Sequence, residues 1–141
     1  MNSKSKTLSN ILVFLVALFL LSSLRDHSTT TISFDDDTFT LGAPESFSLT
    51  IEYDQVKALE LVEQPDSGTA ISGAENRKCR WGDWENNTWG QHTQCVLKKL
   101  DTAILLITSD EKKVLFNYES DEATASMHQM LTELLAHRTE A

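Results

Sequence analysis

Apolar residues recur along this chain with two periods, and the place where the period changes outlines its architecture. Phe47, Leu49, Ile51 and Tyr53 alternate with Ser48, Thr50 and Glu52, which predicts a half-buried strand. Ile32 and Phe34, then Phe39 and Leu41, alternate on either side of Asp35-Asp36-Asp37. Gly42-Ala43-Pro44-Glu45 reads as a turn. Lys57 to Val62 reads as another strand, with a composition that also suits a helical turn. Pro65-Asp66-Ser67-Gly68 is a turn signal. Cys95-Val96-Leu97 predicts a strand, Leu100-Asp101 a turn, and the apolar run Ala103 to Ile107 a central buried strand. Ser109 to Lys112 reads as a hairpin connection, after which Val114, Phe116 and Tyr118 alternate again.

The period then lengthens. Ala123, Met127, Met130, Leu131, Leu134 and Leu135 share one face of a helix. Ser120 or Asp121 can cap it, and Asp121 and Glu122 suit its positive end. The tail from Ala136 is expected to fray. The expected fold is mainly β with one C-terminal α-helix. About seven antiparallel strands form a partly open barrel whose open end the helix plugs, because a one-faced helix must dock and sheet edges need cover.

The N-terminus is different. Lys4 and Lys6 precede an unbroken apolar run, residues 11–21. Leu8 to Leu24 reaches the short limit of a membrane span. A secretory signal also begins this way, although Ser22-Ser23-Leu24 is a poor cleavage site. An uncleaved transmembrane anchor, a cleaved signal and a buried soluble helix all stand as readings. The positive start would hold the N-terminus in the cytoplasm and place the rest outside. The expected organisation is an anchor or signal segment over 1–24, a linker over 25–31, a domain over 32–137 and a tail over 138–141. The domain is acidic. Of 21 acidic and 12 basic residues only Asp26, Lys4, Lys6 and Arg25 precede residue 27, which leaves 20 against 9. Such a domain repels phosphate backbones on average, so no nucleic-acid partner is expected.

Both cysteines and all three tryptophans fall within CRWGDWENNTWGQHTQC, residues 79–95. A hairpin centred on Asn87 would set Cys79 opposite Cys95, within disulfide range. Such a bridge would suit an oxidising compartment and stabilise the fold by about 3 kcal/mol. Two reduced core cysteines are the alternative. Cys79, His92 and Cys95 offer a metal only three ligands, whereas a structural zinc site takes four, so no metal is assigned. Trp81, Trp84 and Trp89, with His92 and Arg80, form either an exposed ligand-binding platform or barrel packing. Asp35-Asp36-Asp37 lacks the calcium-loop pattern and reads as a solvated turn. No nucleophile elbow, zinc-protease motif or phosphate-binding glycine loop occurs, and no enzyme activity or cofactor is expected.

The order of these elements resembles the pleckstrin-homology-like fold. In particular, the chain is similar to small membrane-anchored proteins of a bacterial pleckstrin-homology family. The stretches that carry the resemblance are Ile51 to Val56, Gly82-Asp83-Trp84, Trp89-Gly90, Thr93 to Lys99, Ala103 to Ile107 and Val114 to Asn117, within roughly residues 30–136. Asp83, Leu100-Asp101-Thr102 and the two cysteines depart from the pattern. The family also places aromatics where Trp84 and Trp89 stand, which favours packing for those two. The resemblance implies a binding or scaffold module with no catalytic residues. The expected function is therefore a single-pass membrane protein with an extracytoplasmic interaction domain, meeting the membrane through its N-terminal helix and an envelope protein through the domain. A secreted ligand-binding or sensor domain is the alternative. The small-molecule ligand is left unnamed.

Overall fold

The computed structural model describes residues 10–16 and 28–140. Among the described residues ten strands precede the C-terminal helix. β1 (Thr31–Phe34), β2 (Thr38–Ala43) and β3 (Phe47–Glu52) form an antiparallel meander. The second sheet contains β4 (Val56–Glu63), β5 (Thr69–Ala70), β6 (Ala74–Glu75), β7 (Cys79–Asn86), β8 (Gly90–Leu97), β9 (Thr102–Thr108) and β10 (Lys113–Phe116). Its order is β4-β9-β10-β8-β7-β5, with β6 also on β7. The helix α1 spans Asp121–Glu140. The mainly β architecture and the C-terminal helix match the expectation. The single antiparallel barrel is corrected: there are two sheets, and β10 lies parallel to β8, between β8 and β9.

The second sheet is curled. Its outer strands β4 and β5 are joined by residues 64–68 alone. Six strands laid flat would separate those edges by about 24 Å, whereas the connection reaches about 20 Å at full stretch. It also bends, because Gln64 and Gly68 adopt φ of 47° and 71°. The connection therefore crosses one sheet face, where the Gln94 amide donates to Ser67 O at 2.7 Å and Asn86 to Asp66 O at 2.8 Å.

Both faces of the central strands are consequently buried. On one face Cys95, Ile104, Leu106, Val114 and Phe116 pack with Ile32, Phe39, Leu41 and Ile51 of the meander and with Met127, Met130 and Leu131 of α1. On the other, Val96, Ala103, Leu105 and Leu115 form a smaller cluster with Val62, Trp89 and Ile107. This is why Ala103 to Leu106 reads as an unbroken apolar run.

The ends differ from expectation. Residues 28–31 belong to the fold rather than to a linker: Thr30 is buried, and Ser28 accepts a hydrogen bond from Asn76. The helix does not fray at Ala136. It continues to Glu140, and Arg138 pairs with Asp37 and Asp54 at 3.3 and 3.2 Å while lying over the Tyr53 ring. Most of the expected membrane span over residues 8–24 lies outside the described residues. Among the described residues no helix is long and apolar enough to cross a membrane. The part that is described, residues 10–16, is helical, with Ile11 buried in the main core and Phe14 and Leu15 packed against it.

Candidate functional site

The β7–β8 hairpin turns through Asn87, Thr88 and Trp89. Asn86 pairs with Gly90, which adopts the left-handed φ of 73° that a three-residue turn requires. Asn86 Oδ1 accepts from Trp89 N at 2.7 Å and fixes the bend. The centre of the hairpin is thus Thr88 rather than Asn87. That difference moves every partner by two: Cys79 faces Leu97, and Cys95 faces Trp81. The expected disulfide between directly opposed Cys79 and Cys95 is corrected, and both are free, buried thiols. A diagonal pair in a ladder stands about 7–8 Å apart, beyond easy bridging. Burial pushes Cys95 up to about 12, helped by the neighbouring Cys79, and burial also raises Cys79 against the pull of Lys98 and Lys78.

An exposed aromatic platform is corrected as well. Trp81, Trp84 and His92 are buried. Trp81 packs with Cys79 and Leu97, against Ala43 and Phe47 of the meander. Trp84 donates its indole N–H to Trp81 O at 3.0 Å, and its ring fills the space beside Gly73, where a Cβ would meet the indole nitrogen at 2.3 Å. The half-buried Trp89 meets His92 edge-on at 5.5 Å. His92 Nδ1–H donates to Gly90 O at 2.9 Å, and its Nε2 accepts from the Gln94 amide at 3.0 Å. Gln94 Oε1 in turn accepts from Arg80 at 3.2 Å. These bonds satisfy both ring nitrogens inside the sheet, and by strand alternation His92 and Cys95 point to opposite faces. Among the described residues no group of three metal-ligating side chains comes together.

The feature that the sequence reading passed over lies at the open end of the same hairpin. The 76–78 turn and the 97–100 turn enclose a cleft of about 540 Å³, lined by Thr29, Arg77, Lys78, Leu97, Lys99 and Glu119. Asn76 shapes its lip. Its Oδ1 accepts from Lys78 N and Cys79 N at 2.8 and 2.9 Å, and its Nδ2 donates to Ser28 O at 3.0 Å. Lys78 Nζ donates to Ser28 Oγ at 2.9 Å. Lys98, beside the cleft, is neutralised by Glu75 at 2.9 Å. Arg77, Lys78 and Lys99 are exposed, and among the described lining residues they stand with one acid, Glu119. Five of the chain's 12 lysines and arginines (Arg77, Lys78, Arg80, Lys98 and Lys99) fall in two short runs flanking the hairpin. That concentration in a chain of net charge −9 is the signal from which the cleft was legible. The arrangement supplies donors and positive charge beside Leu97, and among the described residues no nucleophile–base pair lines it. Compared with known family models, curated proteins and solved structures, the chain matches none.

Proposed function

We propose that this protein is a non-catalytic binding module, held at a membrane by its N-terminal apolar segment, that receives an anionic group in the cleft between the 76–78 and 97–100 turns. We read its order of strands and its closing helix as a pleckstrin-homology-like module. The observation that carries the function is the grouping of Arg77, Lys78 and Lys99 around one opening of an otherwise acidic chain. The exposed guanidinium of Arg77 and ammonium of Lys99 attract anions from solution, and Leu97 offers contact to an attached apolar portion. The envelope partner or ligand would present a phosphate or carboxylate.

Titration of the ¹⁵N-labelled full chain with inorganic phosphate and with acetate tests this reading. The amides of Thr29, Arg77, Lys78 and Lys99 are expected to shift saturably, and the shifts to vanish in the Arg77→Glu, Lys99→Glu double variant at an unchanged melting temperature. Shifts spread evenly over the surface, or retained in the variant, would overturn the cleft as the site.

A further inference from the structure

A second pocket, of about 270 Å³, lies on the sheet face that the 64–68 connection crosses. Gln64, Pro65 and Ser67 line it from the connection, and Val96 and Leu115 line it from the smaller apolar cluster. Arg80 lines it as well. The ladder explains why a cation stands there: Arg80 pairs with Val96 across β7 and β8, so both side chains share one face. Arg80 is half-buried, and its Nε–H donates to Gln94 Oε1 at 3.2 Å. Among the described residues neither Nη group has a partner. Glu75 is the acid opposite Arg80 in the β6–β7 pairing, and it gives its carboxylate to Lys98 at 2.9 Å. Asp101, an acid that also lines the pocket, is exposed. Among the described residues neither acid forms an ion pair with Arg80.

The guanidinium is held from behind. Gln94 is fully buried, and its amide donates to Ser67 O at 2.7 Å and to His92 Nε2 at 3.0 Å. His92 is anchored in turn on Gly90 O at 2.9 Å. A guanidinium fixed through Nε, with both Nη groups left over, presents parallel donors that match a planar carboxylate. A half-buried cation with unmet donors carries a desolvation cost that an incoming anion relieves. We propose that this pocket binds the carboxylate of a small aliphatic acid, with the Arg80 Nη groups on the carboxylate and the tail against Val96 and Leu115. The volume falls just below the roughly 300–1,000 Å³ of drug-sized ligand sites, which suits an acid of a few carbons. A phosphate dianion would want a second cation, and Lys98 is committed to Glu75. The site is separate from the cleft described above, because Arg77, Lys78 and Lys99 line that cleft and none of them lines this pocket.

Titration of the ¹⁵N-labelled full chain with butyrate, with its uncharged analogue butyramide, and with inorganic phosphate and chloride at constant ionic strength tests the assignment. Butyrate is expected to shift the Arg80 Nε–H and the amides of Ser67, Val96 and Asn117 saturably, and butyramide and chloride to produce no saturable shift there. Arg80→Lys keeps the charge and loses the parallel donors, so it should weaken butyrate binding about tenfold. Arg80→Gln should abolish it. Arg77→Glu with Lys99→Glu should leave these shifts intact, so the two sites stand or fall separately. Butyrate shifts confined to Thr29, Arg77, Lys78 and Lys99 would overturn the proposal in the wild-type chain, whatever the variants do. So would equal binding of butyramide, tighter binding of phosphate than of butyrate at Arg80, or undiminished butyrate affinity in Arg80→Lys or Arg80→Gln at an unchanged melting temperature.

Discussion

Replacing Asn117 with alanine removes three hydrogen bonds at once. Its Oδ1 accepts from Leu97 N at 2.7 Å, and its Nδ2 donates to Leu97 O and Thr102 O, both at 3.2 Å. The buried Leu97 N–H is then left without a partner, so Asn117→Ala should lower stability by about 1–3 kcal/mol in urea denaturation. Trp81 acts through volume instead. Its ring closes the contact between β7 and the meander, and Trp81→Ala should cost about 3–5 kcal/mol. A melting temperature unchanged by that substitution would contradict the packing described. The cysteines make a chemical prediction. Both are buried, and burial holds both thiols protonated at neutral pH, a state that is a poor nucleophile. Iodoacetamide should label them slowly in the native protein and rapidly in denaturant. Intact mass without reductant should show two free thiols.

At the scale of elements, the Gly82-Asp83-Trp84 step explains how the excursion between β4 and β7 is latched. Asp83 accepts from Thr93 Oγ1 and Ser72 Oγ, both at 3.1 Å, and its carbonyl accepts from Ile71 N at 2.9 Å. Gly82 adopts φ of 87°, and a Cβ there would lie 2.8 Å from Gly73 Cα. Gly82→Ala should therefore destabilise the protein by more than the roughly 1 kcal/mol typical of a glycine's propensity cost, and a circular dichroism melt would detect the loss. Alternation in Phe47–Tyr53 and the helical spacing from Ala123 to Leu135 were legible because one face of each element meets the core. Residues 69–76 were not, since β5 and β6 are two residues each and owe their existence to β7. The disulfide expectation failed on a one-residue shift of the turn's centre, which composition does not reveal. Trp81 and Trp84 looked like surface candidates because their burial comes from elements distant in sequence, namely the meander and the 71–73 segment. The cleft cations were visible as Arg77-Lys78 and Lys98-Lys99, and their meaning depended on the two turns lying side by side.

For the molecule as a whole, alkaline pH is the direction of weakness. Burial lifts Tyr53 from 10.0 to about 12 and Cys95 from 9.0 to about 12. Both groups are neutral when protonated, and folding favours that form. Their contribution is complete below the unfolded values and is lost as pH rises through the folded ones. Stability should be level up to about pH 9 and fall between pH 9 and 12. Cys95→Ala should flatten the lower part of that fall and Tyr53→Phe the upper, as read by urea midpoints across the range. The position of β10 has a consequence of another kind. Among the described residues its four residues are the only strand joining β4 and β9 to β8, β7 and the short strands beyond. The two halves of the curled sheet cannot part along that seam without breaking one of its two ladders. The amides of Val114, Leu115 and Phe116 should thus exchange with deuterium only through global unfolding, and these three would report the cooperativity of the entire domain.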